Sequence, residues 1–304
     1  MGGVPVRHAA LLAMGVVAVS FSAIFIRLAH APALTVALYR NAFAAAVVVP
    51  AALLTRRREL RRLRPEQIRI AVASGALLAL HFATWIASLS FTTIAASVVL
   101  VTASPILVAA ASSALFGERV GRTAFVGILA GLAGAAIVSG GDLVVLSSRA
   151  AGGDVLALIG AAAAGGYFVA GRKLRQELSL LTYVALVYST CALLLWPAAI
   201  LSGARLTGFP ARTWGLFVLM AAVPQMLGHT VFNYLLRDVS ATVVAISVMG
   251  EPVGSTLLGL AFFGEVPPWT AVVGGLLLLA GIYVALTSQV GMGRTPAGAV
   301  TPLE

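Results

Sequence analysis

The sequence repeats itself at a fixed distance, and this repeat constrains the fold more than any other feature. Residues 93–138 align with residues 240–285 without a gap, and 14 of the 46 aligned positions are identical. The identical pairs, 147 residues apart, include Pro105/Pro252, Gly117/Gly264, Glu118/Glu265, Gly127/Gly274 and Gly134/Gly281. A repeat of this length predicts a molecule built from two related halves.

Long apolar runs fill both halves. Hydrophobic residues make up 60% of the 304 residues and charged residues 10%, which is typical of a multi-pass membrane protein. An α-helix needs about 20 apolar residues to cross roughly 30 Å of hydrocarbon. Such runs lie at 8–28, 33–54, 67–89, 94–115, 122–139, 153–171, 180–201, 212–235, 240–263 and 269–288. We predict an all-α integral membrane protein with ten transmembrane helices, the first a true span rather than a removed signal peptide.

Each half contains five spans, and an odd number reverses the orientation of the second half. We therefore predict two inverted five-helix repeats around a central cavity near the membrane midplane. The predicted boundaries are 1–139 for the first repeat, 140–152 for a linker, 153–288 for the second repeat and 289–304 for a disordered tail.

The twenty Lys and Arg residues are divided unevenly between the two predicted faces. Fifteen fall in alternate connections that begin with the N-terminus, four fall in the others, and Arg40 lies inside a span. The positive-inside rule then predicts that both termini are cytoplasmic. Because these arginines lie in short connections without base-stacking aromatic residues, they indicate contact with the lipid bilayer and not with nucleic acid.

Glu251 and Pro252 stand in the middle of the ninth span. A carboxylate at this depth is costly, so it is either a neutral acid bonded to another helix or a cavity group that binds a proton or an amine. Ser247 lies one helical turn before it, and its repeat counterpart is Ser104. Pro252 and its counterpart Pro105 each remove a helix hydrogen bond, which predicts either hinges or packing bends.

Other polar residues recur at helical spacing in the third and eighth spans. His81 and Trp85 are one turn apart, and so are His229 and Asn233. We predict that they line the cavity; the alternatives are hydrogen bonds between helices for the histidines and an interfacial anchor for Trp85.

In the second span, Tyr39 precedes Arg40. The Arg40 side chain either reaches the outer interface or contacts Glu251 or a substrate carboxylate. Spacings typical of a metal site or of a catalytic Ser, His and acid group are missing from the sequence, so we expect no cofactor and no enzyme activity.

Four segments carry a family resemblance: ALYR at 37–40, HFATWIASLSFTTIAASV at 81–98, SPILVAAASSALFGERV at 104–120 and EPVGSTLLGLAFFGEV at 251–266. The chain resembles the drug/metabolite transporter superfamily, and within it the ten-helix bacterial transporters with two EamA domains. The resemblance implies that the fifth and tenth spans lie outside a basket made by the other eight. It also implies a bacterial inner-membrane protein, a monomer or a homodimer, that exports small metabolites such as amino acids.

Aromatic residues narrow the expected substrate. They could line the cavity and stack against an apolar side chain: Tyr39, Phe82, Trp85, Tyr167, Phe168, Tyr188 and Phe232. We therefore expect a secondary transporter that exports or exchanges large neutral or aromatic amino acids by alternating access, with protons as a candidate coupling ion. The alternatives are an uncoupled channel-like facilitator and an exporter of other metabolites or drugs.

The charge distribution yields a topology prediction. A reporter that is active only in the periplasm should stay inactive when fused after Leu286, because this position belongs to the predicted cytoplasmic side. The measurement is reporter activity in intact cells, with a fusion in the 202–210 connection as the active control. Activity after Leu286 would contradict the predicted orientation.

Overall fold

The computed structural model describes residues 5–91, 97, 100–117, 120–138, 148–264, 266 and 269–290. Their regular secondary structure is entirely helical, which confirms the predicted all-α fold. We number ten long helices in this part of the chain: α1 Val6–Ala29, α2 Ala33–Thr55, α3 Pro65–Ser88, α4 Ser104–Phe116, α5 Arg122–Val138, α6 Ser148–Arg175, α7 Leu180–Leu201, α8 Ala211–Leu235, α9 Ala241–Phe263 and α10 Trp269–Val290.

Two of these helices are segmented. α8 consists of Ala211–Met220, a π-helical stretch Ala221–His229 and Thr230–Leu235. α9 consists of Ala241–Val248 and Glu251–Phe263. A single extra turn, Arg57–Leu60, lies between α2 and α3. Most of the predicted linker, the predicted tail from residue 291 onward, and both Glu118 and Glu265 lie outside the described residues.

Seven of the helices are long and apolar enough to cross a membrane: α1, α2, α3, α6, α7, α8 and α9. The apolar parts described for the other three are shorter, at Ser104–Phe116, Arg122–Ile137 and Val272–Ser288. The order of the ten helices is that of the ten predicted spans. The chain is therefore an all-helical, multi-pass membrane protein.

The repeat is visible in the positions where helices begin. α2 and α7 begin at Ala33 and Leu180, the unbroken helices at Ser104 and Glu251 begin in equivalent places, and α5 and α10 begin at Arg122 and Trp269. Each pair is separated by 147 residues, the same distance as in the sequence repeat. Because these helices begin in register, the two halves build equivalent elements.

Helix packing follows the same correspondence, in which helices α1 to α5 of the first repeat match helices α6 to α10 of the second repeat in order. α3 packs on α6 as α8 packs on α1, and α4 packs on α6 as the second segment of α9 packs on α1. We call α3, α4 and α6 the first bundle and α1, α8 and α9 the second bundle. α2 and α7 pack on each other, and so do α5 and α10. Each bundle thus takes helices from both halves of the sequence.

α4 and α9 are interrupted at equivalent points. Residues 102–103 form a turn before α4, and residues 249–250 form a turn inside α9. The segments that contain Pro105 and Pro252 are preceded by Ala103 and Gly250. These two residues have nearly identical backbone angles, with a φ of −71° for both. Pro105 and Pro252 then occupy the first turn of each new segment, where a missing N–H is tolerated. The two segments also end alike, at Gly117 and Gly264, whose left-handed φ values are 65° and 68°.

The large central core contains buried residues from the other eight helices but, among the residues described, none from α5 or α10. These two helices pack instead on each other and on α9 through smaller clusters. Their axes approach closely because glycines face each other: a Cβ placed on Gly127 would lie 2.6 Å from the backbone nitrogen of Ala285 and 2.8 Å from the carbonyl oxygen of Gly281. Such small-residue contacts are the usual means of close helix packing in lipid.

This crossing predicts the effect of a single added methyl group. Gly127→Ala should destabilise the protein by about 1–3 kcal/mol, because the new Cβ meets backbone atoms that cannot move aside independently. Gly275→Ala on α10 is the matched control, since its Cβ would lie 3.7 Å from the nearest atom, on Val253. Thermal unfolding in detergent measures both. An equal loss of stability in the two variants would contradict the packing argument.

Candidate functional site

A cavity of about 40 Å³ lies between the two bundles. This volume has room for only a few water molecules. Its polar lining consists of Ser22, His81, Trp85, Thr102, Ser104, Tyr167, His229 and Glu251, and Phe168 and Phe232 add apolar walls. The breaks in α4 and α9 therefore meet at one internal site.

Glu251 begins the second segment of α9 and faces this cavity with 8% of its surface exposed. Among the described residues, its carboxyl group has no hydrogen-bonding or ion-pairing partner in the protein. Its backbone carbonyl lies 3.4 Å from the hydroxyl of Ser20 on α1, which also donates to the Val16 carbonyl at 2.8 Å. A carboxyl group fixed at mid-helix and turned toward a cavity can bind a proton or a cationic group of a ligand.

His81 and His229 bring the two bundles together across the site, with ring centroids 6.4 Å apart. His81 Nδ1 lies 2.9 Å from the carbonyl oxygen of Gly160. Because a carbonyl only accepts, Nδ1 carries the proton, which leaves Nε2 of a neutral ring as an acceptor. Nδ1 of His229 is buried without a partner. The pair thus offers ring nitrogens to a ligand in the cavity.

Aromatic rings surround the histidines. Trp85 lies parallel to His81, with centroids 5.9 Å apart and an interplanar angle of 7°. The ring centroids of Tyr167 and His229 are 6.1 Å apart. The hydroxyl oxygen of Tyr167 accepts a hydrogen bond from Nδ2 of Asn233 at 2.5 Å. Trp85 is 4% exposed, so it lines the cavity rather than standing at a membrane interface. These flat walls suit an apolar or aromatic ligand group.

Arg40 is fully buried beside the cavity and does not line it. Its guanidinium carbon lies 4.0 Å from the centre of the Phe82 ring, and Nε donates to Gln225 Oε1 at 3.0 Å. Nη1 and Nη2 have no hydrogen-bond partner. Arg40 and Glu251 also form no direct ion pair in the described part of the chain. The structure therefore buries a cation and a carboxyl group separately, each with unused bonding capacity.

Besides Arg40, five of the residues expected in the cavity do not line it: Tyr39, Phe82, Tyr188, Asn233 and Ser247. The Tyr39 hydroxyl donates to the Leu206 carbonyl, in the connection between α7 and α8, at 2.7 Å. Ser247 donates to the Val243 carbonyl of its own helix at 2.9 Å. Asn233 binds the hydroxyl of Tyr167 and supports the cavity wall without lining it. The break at 249–250 separates Ser247 from the face on which Glu251 lies.

Sequence reasoning missed Ser22 of α1 and Thr102 at the break before α4, which both line the cavity. Ser22 stands two residues after Ser20 in an apolar span, and this polar pair was the available signal. For Thr102 the signal was its position three residues before Pro105, in the turn whose helical hydrogen bonding a proline disrupts.

Three polar side chains in and just after the π-helical stretch of α8 point to different neighbours. Gln225 reaches Arg40 on α2, His229 faces the cavity, and Asn233 reaches Tyr167 on α6. A π-helix shifts the direction of side chains relative to an α-helix and is often found at functional sites. The even spacing of these residues in the sequence therefore does not put them on one surface.

A protein-family comparison agrees with this architecture. The model of the EamA-like transporter family matches residues 7–140 and residues 151–287, which is most of the chain. The chain belongs to the EamA-like transporter family. This confirms the resemblance to the drug/metabolite transporter superfamily and identifies a membrane transporter rather than an enzyme.

Individual proteins are similar to this EamA-like transporter. An uncharacterized transporter from Archaeoglobus fulgidus is 26% identical over 229 residues, which cover 74% of this chain and 78% of the relative. A protein of known crystal structure shares the fold, with a TM-score of 0.77 at 18% sequence identity. The match covers 94% of this chain and 99% of the other.

The contacts of Arg40 predict that a double variant of the transporter is more stable than one of its single variants. Gln225→Leu should cost about 1–3 kcal/mol, because it leaves a buried guanidinium with one partner fewer. Adding Arg40→Met should recover part of this loss, since the uncompensated charge is then removed. Thermal unfolding in detergent compares the two proteins. A double variant no more stable than Gln225→Leu would contradict this account of the cluster.

Proposed function

We propose that this protein is a secondary transporter that exports or exchanges amino acids, with large neutral or aromatic amino acids as the preferred class. The observation that carries this proposal is the unpartnered carboxyl group of Glu251 in a cavity beside a buried Arg40. An amino acid carries an ammonium group and a carboxylate, so it can complement both. A binding partner of either charge alone would leave the other protein group unpaired.

The ammonium group of the substrate is proposed to bind Glu251, with the Nε2 atom of His81 as an additional acceptor. Nη1 and Nη2 of Arg40 are the proposed donors for the carboxylate, reached when the cavity widens and the Phe82 ring moves. Trp85, Tyr167 and Phe168 then supply the surface for an apolar or aromatic side chain. Ser104, the neutral counterpart of Glu251, belongs to the same wall.

Alternating access is the proposed mechanism. A cavity of about 40 Å³ must widen to admit an amino acid, and the turns at 102–103 and 249–250 are the points where α4 and α9 can change angle. Pro105 and Pro252 support such hinges because each prevents a continuous helix across the turn. The two repeats at 1–139 and 153–288 are proposed to have opposite orientations, which lets equivalent motions open opposite sides.

A bacterial inner membrane with both termini in the cytoplasm is the proposed setting. The support is the excess of Arg in the connections on the side of the N-terminus. With this orientation, export carries amino acids from the cytoplasm through the cavity to the opposite face.

Counterflow in proteoliposomes tests the function. Vesicles loaded with unlabelled large neutral amino acids should transiently accumulate a labelled one with saturable kinetics, whereas nucleobases and cationic drugs should not drive uptake. A channel-like facilitator would give equilibration without counterflow. Failure of every amino acid in the panel would overturn the proposed substrate class.

Glu251→Gln separates the charge of this residue from its packing role. The variant keeps the side-chain size and hydrogen bonding but cannot ionise, so it should reach the membrane intact and lose about 90% or more of counterflow. Any pH dependence of transport should be lost with it. Ser104→Ala is the control from the equivalent position and should lose much less activity than Glu251→Gln.

Normal counterflow in a well-folded Glu251→Gln protein would show that Glu251 is a neutral structural acid. The proposed binding role of the cavity carboxyl group would then be wrong. Size-exclusion profiles of both variants establish folding independently of transport.

A further inference from the structure

The basic end of α6 is joined to the end of α8 by hydrogen bonds from side chains to backbone carbonyls. Nε of Arg175 donates to the carbonyl oxygen of Asn233 at 3.0 Å. Nη1 of Arg172 donates to the carbonyls of Leu236 and Arg237 at 2.8 and 2.9 Å. The last carbonyls of a helix have no partner within the helix, and positive charge is favourable beside them. The arginines thus cap α8 from outside it.

Gln176 adds a bond of the same kind, from Nε2 to the Arg237 carbonyl at 2.8 Å. We call Arg172, Arg175 and Gln176 the α6 latch. The latch connects α6 of the first bundle to α8 of the second bundle. By contrast, the neighbouring Lys173 binds Glu66 of α3 at 2.9 Å, which is a contact within the first bundle. Only some of the polar contacts at this end therefore join the bundles.

The latch lies at the end of the molecule where α1 begins and where the connections α2–α3, α6–α7 and α8–α9 lie; we call it the arginine-rich end. The repeat places Phe25, Leu28 and Ala29 of α1 in the positions equivalent to the latch. None of these side chains can donate a hydrogen bond. The three latch positions therefore have no hydrogen-bonding counterpart at the equivalent positions of α1.

Packing shows the same difference. At the arginine-rich end, α6 contacts the last segment of α8 and the first segment of α9. The pair equivalent to α6 and the last segment of α8 is α1 and α3, and the described residues of these two helices show no comparable packing. The counterpart of the first segment of α9, residues 94–101, lies mostly outside the described residues. Among the described residues, α6 thus packs on α8 at the arginine-rich end, whereas α1 and α3 do not pack in the same way at the other end.

Asn233 connects the latch with the cavity. Its backbone carbonyl accepts from Arg175, and its side-chain Nδ2 donates to the hydroxyl of Tyr167, a residue of the cavity wall. Arg175 itself is 2% exposed, so this link is shielded from water. A movement of the bundles at the cavity must therefore change the surroundings of Arg175.

We propose that the α6 latch holds the cavity closed toward the arginine-rich end, and that release of its bonds to α8 is required for opening on that side. The latch residues act as positioning residues, since they hold one bundle against the other and do not touch the cavity. The proposal rests on the proposed function only in that a transport cavity must open alternately to the two sides.

Thiol accessibility of the cavity tests the proposal. Cys191→Ser removes the single native cysteine, and Ala164→Cys then places a thiol in the cavity wall. Sealed vesicles of either orientation are treated with a membrane-impermeant methanethiosulfonate reagent, and the labelling rate is measured from each face. In the Arg172→Met/Gln176→Leu protein, labelling from the face of the N-terminus should be about tenfold faster, because several hydrogen bonds, one set charge-assisted, are lost.

Lys173→Met is the matched control. It removes a basic residue from the same helix end but breaks a contact within one bundle, so labelling from either face should stay at the original rate. Unchanged labelling in the double variant, the same acceleration in Lys173→Met, or equal acceleration from both faces would each overturn the proposal. Arg175→Lys provides a second test of the buried member, with a faster rate expected from the face of the N-terminus alone.

Labelling needs no substrate, which separates this test from that of the proposed function. If amino-acid counterflow fails but the double variant opens the face of the N-terminus, the latch stands and the substrate class is wrong. If counterflow succeeds but labelling is unchanged, the transporter has another closing contact at this end.

Discussion

Backbone hydrogen bonding without water is the constraint on which the rest of this structure depends. In hydrocarbon, every N–H and C=O group must be paired inside the protein, so continuous helices are the default. The chain departs from that rule at 102–103 and 249–250, where α4 and α9 are interrupted. Both interruptions are covered by protein: Thr102 lines the cavity, and Ser20 of α1 donates to the Glu251 carbonyl. The non-helical backbone at both turns is therefore placed at the internal cavity and not against lipid.

The buried charges follow from the same shortage of water. Arg40 has a ring face and one amide as partners, and Glu251 faces the cavity, yet the two do not neutralise each other. A direct ion pair would be the cheaper arrangement in a low-dielectric interior. Keeping them apart leaves one acidic and one basic group without a mutual ion pair, and the proposed amino-acid substrate would supply a partner for each.

The sequence was sufficient for the fold because apolar length and an internal repeat can both be read directly from it. Apolar length predicted the helices, and the 147-residue repeat predicted that the elements at Ser104 and Glu251 would be equivalent. The site was only partly predictable. Helical spacing indicates which residues share a face, but it does not identify the neighbouring helix, so Tyr39 was expected in the cavity although its hydroxyl reaches the Leu206 carbonyl. The role of Arg175 was equally hidden, because its acceptors are backbone carbonyls that no residue type reveals.

The glycine crossing of α5 and α10 has a consequence for how the two repeats can diverge. Gly127 faces the backbone at Gly281, and Gly134 faces the backbone at Gly274, so each repeat supplies the clearance that the other needs. A bulkier residue in one copy cannot be accommodated by change within that copy alone. Mutational drift is thus tied across the duplication at this crossing, whereas Ser104 and Glu251 were free to become chemically different. The crossing therefore couples the two halves at the periphery, while the equivalent positions 104 and 251 at the centre carry chemically different side chains.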